Sequence, residues 1–539
     1  MSQGTDVAGS RQILRKKWLL LPVCFAGGML YAAALPPLNW FFAAFFTLLP
    51  LMYCALQGKW YFRLLCGWVW GLGWSLFAYS FLREIHPAIP WLLAPVISLW
   101  PALYTMLLGF FAERLYKGTF PEFTLWRGVL FAVSAAALFT VLEWTRYYLF
   151  VWNDLSVTLW RVPLLMQIAR ITGRYGVSLF ITSLNAAIFS LIYFKKRRFI
   201  PVGIMLIYPA LVLIYGIIRM NYPGMEDSGK KVIWKCALIQ GDLPQQRRAG
   251  EEQILNSIMR YFQLSLQMKK FDPDTIIWPE CAVPIPLRSN IPLAQVYREA
   301  VKKLDSRMLI GSLDFSEEGG MTNSALLIKP GTSWIIGKYD KYHRVPFGEY
   351  VPFRSLLPAS WIKAFDMGRD LTGGKNILPL RINENVSAGT AVCYEGVFSY
   401  MSAAFAREGA NVLTAISNDV WYPQSSEPEQ HLANAVMRCV ETGLPMVRSG
   451  NNGGSGVVTE KGVFTQYIGT AADRPELLRE SAAGIVTVEL EKHPQLTFAV
   501  RYENLIVYLL FAGLLIIWFA SGHFPVKVTS TSSCQTTLP

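Results

Sequence analysis

Long apolar stretches separated by short polar segments occupy the first part of the chain, and one more lies near its end. A helix needs about 20 predominantly apolar residues to cross a bilayer. Such stretches lie at about 18–35, 40–57, 64–82, 91–112, 128–150, 177–194, 200–218 and 505–521. The pattern predicts a polytopic α-helical membrane bundle of about eight transmembrane helices, with a seven-helix region (18–218) and a C-terminal helix (501–522).

The first apolar stretch has a second interpretation. Basic residues between Arg11 and Lys17 precede it, and Tyr31-Ala32-Ala33-Ala34 lies near its end, as in a secretory signal peptide. Its apolar core is long for such a peptide, and similar stretches follow at once. We therefore favour a helix that is retained.

Basic residues mark one side of the predicted bundle. With the N-terminal tail (1–17) inside the cell, the inner loops carry most of the charge: Arg11–Lys17, Lys59, Arg63, Arg114, Lys117, Arg127 and Lys195–Arg198. This distribution satisfies the positive-inside rule. It places residues 219–500 outside the cytoplasm and returns the C-terminal tail (523–539) to the inside.

Short apolar runs alternate with helical patterns between the seventh and eighth stretches. The runs have the length and composition of buried strands: Val232–Ile239, Thr275–Trp278, Met308–Leu313, Ala325–Ile328, Thr390–Val392, Val412–Ile416, Met446–Arg448 and Ile485–Leu490. Glu251–Met268 and His431–Thr442 repeat apolar residues at helical spacing. This alternation indicates a layered α/β domain over 219–500, although periodicity alone does not give its topology.

Residues 144–176 are more polar than a segment that faces lipid, with Asn153, Asp154, Gln167, Arg170 and Arg174 among them. We expect this stretch at the outer surface of the membrane, beneath the α/β domain.

Composition excludes several function classes. The chain of 539 residues is 53% hydrophobic and 16% charged, with a net charge of +13. Since the cations cluster at the ends of apolar stretches, we interpret them as a topology signal and expect no nucleic acid to bind. The eight cysteines and five histidines lack metal-ligand spacing, so we expect neither a metal site nor a cofactor.

Three residues of the α/β domain carry candidate chemistry. Glu280 ends the apolar run Thr275–Pro279, and Cys393 directly follows the predicted strand Thr390–Val392. Lys341 opens the polar phrase 341–349. Taken singly, these are a solvated glutamate, a surface lysine and a buried cysteine. Taken together, a carboxylate base, an ammonium and a thiol can make and break acyl bonds through a thioester.

Neighbouring residues extend this set. Glu349 and Glu395 are candidates to orient the three groups, and the backbone N–H of Tyr394 is a candidate donor to the oxyanion that forms on the acyl carbonyl.

The motifs Trp278-Pro279-Glu280, Tyr339–Pro352 and Cys393-Tyr394-Glu395, taken in order, resemble the carbon–nitrogen hydrolase (nitrilase) superfamily. Together with the predicted bundle and Ser417–Trp421, they resemble its membrane-embedded branch, the family of bacterial apolipoprotein N-acyltransferases. The resemblance covers about 18–521. It implies a four-layer αββα sandwich with Glu280, Lys341 and Cys393 as a catalytic triad.

The resemblance also implies an activity. Members of this family transfer a fatty acyl chain from a phospholipid to the α-amino group of the N-terminal S-diacylglyceryl-cysteine of an apolipoprotein, by a ping-pong mechanism through a cysteine thioester. The chain would then be a multi-pass protein of the bacterial inner membrane, monomeric, with its catalytic domain in the periplasm. The alternatives are a membrane-tethered amidase or nitrilase with a soluble substrate, and a transporter or scaffold.

Some positions depart from the family pattern. Arg344 replaces an apolar residue, Tyr422-Pro423 replaces a Phe-Gly pair, and a tryptophan is absent around Arg247-Arg248-Ala249. These departures bear on acyl-chain or headgroup preference. The apolar segment Tyr350–Leu371 is predicted to be an arm or lid at the membrane surface, and the candidate substrate or lid residues are Trp361, Phe365, Trp421 and Arg438.

Overall fold

The computed structural model describes residues 18–116, 125–194, 198–222, 230–244, 250–358, 370–422, 425–469 and 479–521. Helices dominate up to residue 222, and two β-sheets with their helices follow. The chain thus divides into a membrane region and an α/β domain, as the hydrophobic pattern predicts.

Each of the eight predicted membrane stretches contains a helix. The bounds are Leu20–Ala34, Leu49–Ala55, Trp60–Ala78, Ile89–Ile97, Leu99–Leu115, Leu125–Arg146, Ala169–Tyr193, Phe199–Asn221 and Leu505–Ser521. Ile89–Ile97 and Leu99–Leu115 follow each other directly and together form the helical segment Ile89–Leu115. Among the described residues, four helices are long and apolar enough to cross a membrane: Ile89–Leu115, Leu125–Arg146, Ala169–Tyr193 and Phe199–Asn221. Leu20–Ala34, Phe41–Ala55 and Leu505–Ser521 are shorter apolar helices, so the count of eight crossings stays a prediction.

Twelve strands of the described residues form two six-stranded sheets. Their bounds are β1 Lys231–Gln240, β2 Thr275–Val283, β3 Met308–Phe315, β4 Met321–Ile328, β5 Ile335–Asp340, β6 Leu380–Arg381, β7 Ser387–Val392, β8 Val412–Ser417, β9 Met446–Gly450, β10 Gly456–Val458, β11 Phe464–Thr465 and β12 Ala482–Glu491. The first sheet has the order β12-β1-β2-β3-β4-β5, and the second has the order β11-β10-β9-β8-β7-β6. All eight predicted strands are present.

Alternating side chains of the first sheet enter two different cores. Leu238 and Ile277 face the second sheet, whereas Ile239 and Ile276 pack under the helices Glu251–Lys269 and Pro292–Leu304. The helices Ser399–Arg407 and Glu427–Thr442 belong to the core on the side of the second sheet. The result is the four-layer αββα arrangement that the resemblance implies.

The helix Glu427–Thr442 joins the α/β domain to the membrane region. All 16 of its residues are buried. Its polar side chains bond to the predicted polar stretch: Asn153 Nδ2 donates to Gln430 Oε1 (2.8 Å), and Asn434 Nδ2 donates to Asn153 Oδ1 (3.2 Å). The backbone N–H of Arg174 donates to Glu441 Oε1 (2.9 Å). The polar stretch 144–176 therefore contacts the α/β domain, as expected.

Candidate functional site

Glu280 lies on an irregular part of β2. Strand pairing with β3 shifts between Trp278 and Val283, and Cys281 has a φ of 45°. Gly311 of β3 lies so close that a Cβ there would come within 2.2 Å of the Pro279 carbonyl oxygen. Such a bulge redirects a side chain out of the regular strand pattern, and it places the Glu280 carboxylate in the site.

Lys341 directly follows β5 and is 1% exposed. Its Nζ lies 3.1 Å from Glu280 Oε1 and 2.9 Å from Glu349 Oε1. Burial opposes the charged ammonium, but the two carboxylates outweigh it and raise the pKa of Lys341 well above its usual range. Lys341 is therefore an ammonium at physiological pH.

Asn323 completes this buried ion group. Its Nδ2 donates to Glu280 Oε1 (2.7 Å) and to Glu349 Oε1 (2.8 Å). Among the residues that the structure describes, no donor contacts Glu280 Oε2.

Cys393 begins the short turn Cys393–Val397 after β7 and has a φ of 53°, in the left-handed region. A side chain held at such a turn projects away from the strand, and Cys393 as a whole residue is partly exposed. Burial and the charge of Glu280 raise the pKa of Cys393 well above its usual range, while Lys341 lowers it. The resting thiol is therefore neutral and needs a base.

Glu395 holds the turn and the Lys341 segment together. Its Oε1 accepts hydrogen bonds from the N–H groups of Tyr342 (2.7 Å) and His343 (2.9 Å), and its Oε2 accepts from Val392 N–H (2.8 Å). Burial raises the pKa of Glu395 to about 7, although these donors favour the charged form. Glu349 contacts Lys341 directly, whereas Glu395 positions the backbone on both sides of the site.

The turn that carries Cys393 rests on the membrane region. The hydroxyl of Tyr394 donates to the Val151 carbonyl (3.3 Å), and its ring stacks on Trp152 with centroids 6.0 Å apart. Trp152 also lies against the His431 ring, at 5.8 Å. The floor of the site is thus built from a segment that joins two membrane helices.

An ion pair connects the two ends of the predicted arm Tyr350–Leu371. Arg354 Nη2 lies 2.7 Å from Asp370 Oδ1. Arg344 donates to the Leu371 carbonyl (2.7 Å) and lies over the Tyr350 ring at 4.5 Å. Arg344, which departs from the family pattern, therefore stabilises the base of the arm.

The candidate substrate and lid residues have different surroundings. Trp421 is 41% exposed, whereas Arg438 is buried and donates to the Val397 carbonyl (2.7 Å), so it supports the turn. Trp361 and Phe365 lie outside the described residues. On the described part of the arm, Phe353 and Leu356 are 77% and 79% exposed.

Two further residues were missed as parts of the site. Asn323 lies between Thr322 and Ser324 in the polar first half of β4, ahead of the predicted apolar run Ala325–Ile328, so the hydrophobic pattern gave no signal for it. His431 was predicted only as the first residue of the helix His431–Thr442. Its Nδ1 lies 2.8 Å from Asp419 Oδ1, and its Nε2 lies 3.0 Å from the Cys393 carbonyl oxygen.

Two groups of the described residues bring three metal-ligating side chains within 4.8 Å of one another: Cys24, Cys54 and Cys66 in the membrane region, and Cys393, Asp419 and His431 at the site. In the second group both imidazole nitrogens already contact protein oxygens. A metal would have to displace one of these contacts, so we describe the group as a hydrogen-bonded cluster.

The fold and the site together define a membrane-anchored carbon–nitrogen hydrolase with a glutamate, a lysine and a cysteine at its centre. The profile of the carbon-nitrogen hydrolase family matches residues 235–476, and the apolipoprotein N-acyltransferase N-terminal domain matches residues 27–187. The apolipoprotein N-acyltransferase of Geobacter metallireducens is 32% identical over 391 residues, 69% of this chain and 72% of the relative. The chain therefore belongs to the apolipoprotein N-acyltransferase family.

Other relatives cover more of the chain. The apolipoprotein N-acyltransferase of Rhizobium rhizogenes is 28% identical over 83% of this chain and 86% of the relative. That of Haemophilus influenzae is 27% identical over the same two shares. Among solved structures, a carbon-nitrogen hydrolase from Helicobacter pylori aligns with a TM-score of 0.33 and 15% identity, covering 52% of this chain and 94% of that chain.

Proposed function

We propose that this chain transfers a fatty acyl chain from a phospholipid to the α-amino group of the N-terminal S-diacylglyceryl-cysteine of an apolipoprotein. The catalytic residues are Glu280, Lys341 and Cys393. The protein acts in the bacterial inner membrane with its α/β domain in the periplasm. The family and the buried Glu280–Lys341 pair beside Cys393 support this proposal.

The main observation in support of this proposal is that Cys393 lies against the membrane region. Tyr394, next to Cys393, contacts Val151 and Trp152 of the membrane region. A tethered amidase for soluble substrates has no use for such a floor, whereas two lipid substrates must reach the thiol from the bilayer. The exposed apolar residues Phe353 and Leu356 on the arm favour the same direction of approach.

In the first step Glu280 takes the proton of the Cys393 thiol, and the thiolate attacks the ester carbonyl of the phospholipid. The ammonium of Lys341 and the backbone N–H of Tyr394 stabilise the oxyanion. The C–O bond breaks, Glu280 returns the proton to the leaving alkoxide, and a lysophospholipid departs. The acyl chain stays on Cys393 as a thioester.

In the second step the amine of the apolipoprotein attacks the thioester carbonyl. Glu280 accepts a proton from the nitrogen, the C–S bond breaks, and the proton returns to the thiolate as the amide forms. One nucleophile serves both substrates, so ping-pong kinetics follow.

Intact-mass analysis of the purified full-length protein with phospholipid vesicles tests the first step. We expect an adduct of one fatty acyl group that hydroxylamine removes. The adduct should be absent in Cys393→Ala and retained in Cys236→Ala, a matched change of a buried cysteine in β1. No adduct at any pH between about 6 and 9 would overturn the proposal.

A diacylglyceryl-cysteine peptide tests the second step. The peptide should accelerate loss of the adduct and gain the same acyl mass. If the adduct is lost at the same rate with and without the peptide, water is the acceptor and the chain is a hydrolase.

A further inference from the structure

His431 faces two hydrogen-bond acceptors. It lies on the buried helix Glu427–Thr442 and is 3% exposed. Its Nδ1 meets a carboxylate oxygen of Asp419 at 2.8 Å, and its Nε2 meets the carbonyl oxygen of Cys393 at 3.0 Å. A neutral imidazole carries one N–H only and can satisfy just one of them.

A proton on Asp419 would be the other way to satisfy both contacts. Asp419 Oδ2, however, accepts from Arg448 Nη2 at 2.7 Å. Both partners are 1% exposed, and the guanidinium of Arg448 stays charged at any physiological pH, so this buried pair favours the charged form of Asp419. Asp419 is therefore a carboxylate, and both ring nitrogens must carry hydrogen.

We propose that His431 is an imidazolium and a positioning residue for Cys393, holding the Cys393–Tyr394 peptide and placing positive charge beside the thiol. This role rests on Cys393 being the nucleophile of the proposed function. The charge state itself does not depend on it.

The peptide argument follows from trans geometry. The carbonyl of Cys393 and the N–H of Tyr394 belong to one planar trans peptide and point in opposite directions. By donating to the carbonyl, His431 fixes the direction in which the Tyr394 N–H points. This N–H is the proposed donor to the oxyanion, so the imidazolium both orients and polarises it.

The charge argument follows from the groups around the thiol. Lys341 is matched by two carboxylates, Glu280 and Glu349, and that group alone has a net negative charge. A thiolate on Cys393 would add to it. The ligand atoms of Cys393, Asp419 and His431 lie within 4.8 Å of one another, so the Asp419 carboxylate, whose charge adds to burial in raising the pKa of Cys393, would repel a thiolate, and the imidazolium offsets that repulsion at close range.

Other groups also face His431. Glu427 Oε1 lies 3.8 Å from Nδ1, and burial, with the charge of Asp419, raises the pKa of Glu427 well above its usual range. Both effects favour the protonated form of Glu427. The Trp152 ring covers the imidazole from the membrane side, and Tyr422, whose pKa burial raises well above its usual range, lies near Asp419.

Nitrogen NMR of the full-length protein with ¹⁵N-labelled histidine tests the charge state directly. At pH 7.5 an ordinary imidazole with a pKa of about 6.5 is mostly neutral. We expect His431 to give an imidazolium signal there, and His343, whose pKa burial lowers to about 4, to give a neutral one. A neutral His431 ring at pH 7.5 would overturn the proposal.

Assignment does not require a change at His431. The chain has five histidines, so the variant H86Q/H343Q/H493Q/H523Q keeps His431 alone. The same spectrum is expected whether or not the protein forms an acyl adduct. A failed acyl transfer and a failed charge assignment are therefore distinguishable.

The pH profile of Cys393 alkylation by iodoacetamide, followed by intact mass, tests the positioning role. In His431→Gln we expect the midpoint to rise by about one to two pH units, with alkylation about ten- to hundredfold slower at a fixed pH below it. His343→Gln removes a neutral ring and should leave the midpoint in place. An unchanged midpoint in a folded His431→Gln protein would show a purely structural histidine.

Discussion

Replacing Lys341 by methionine removes the ammonium that Glu280 and Glu349 share. At separations of 3.1 Å and 2.9 Å, each attraction is about 5–6 kcal/mol with an effective dielectric constant of about 20. The cost of burying the charges offsets much of this. Removing one partner of a buried pair typically costs about 3–5 kcal/mol, and we expect Lys341→Met to lower the free energy of unfolding by about that amount.

We expect Lys341→Met to lower activity by more than its loss of stability accounts for. Without the ammonium, the two carboxylates lie side by side across Asn323, and one of them takes up a proton. When that proton lies on Glu280, this residue cannot act as a base, and in either case the oxyanion loses a positive charge. We expect acyl-enzyme formation to slow by at least about a thousandfold.

The double variant Lys341→Met/Glu349→Gln separates the two effects. It restores the net charge of the buried group, so chemical unfolding in detergent should show that stability is partly regained. Single-turnover mass analysis should show that acyl-enzyme formation stays lost. Recovery of that rate in the double variant would refute a catalytic role for the ammonium, and an unchanged stability of Lys341→Met would refute the buried ion group.

Three other predictions concern pH, Arg344 and Trp361. Because the pKa of Glu395 rises from 4.5 in the unfolded chain to about 7 in the folded protein, its contribution to stability is full below about pH 4.5 and is lost as the pH rises through about 7. In Glu395→Gln, this decrease of the free energy of unfolding with pH should disappear. If the decrease persists in the variant, another group causes it. Arg344→Leu breaks the contacts to Leu371 and Tyr350, so KM for vesicle phospholipid should rise severalfold with little change in adduct formation from a soluble ester; equal effects on both donors would contradict this. Trp361→Ala should slow acyl transfer from membranes more than hydrolysis of a soluble ester, and equal loss on both would refute the lid.

The strands that carry Glu280 and precede Cys393 were predictable, although β2 runs past its predicted end at Trp278 to Val283, so that Glu280 lies inside it. Apolar runs followed by a functional residue indicated β2 with Glu280 and β7 with Cys393, and both are present. The strand before Lys341, β5, was missed because its residues include Gly337, Lys338 and Asp340, which break the apolar pattern. It pairs with β4, and this long-range pairing stabilises a segment whose own propensity is weak.

The partners of the site residues were beyond prediction for a different reason. Asn323 bridges Glu280 and Glu349 only because β4 lies beside β5, and His431 meets Cys393 only because its helix lies under the turn. Such contacts depend on the crossing of layers, which periodicity along one segment does not encode. The role of Arg344 at the base of the arm was likewise visible only from its contact with Leu371.

The position of the site against the membrane region favours acyl transfer over hydrolysis. The thioester chemistry of Glu280, Lys341 and Cys393 would serve water as readily as an amine, so the site must limit water. Trp152 and Tyr394 stack at its floor, and His343 lies 3.9 Å from Phe398 between ring centroids at one wall. These aromatic surfaces join the α/β domain to the membrane region. In the proposed function the bilayer itself closes the remaining side, and the amine that arrives on a lipid anchor meets the thioester at high local concentration.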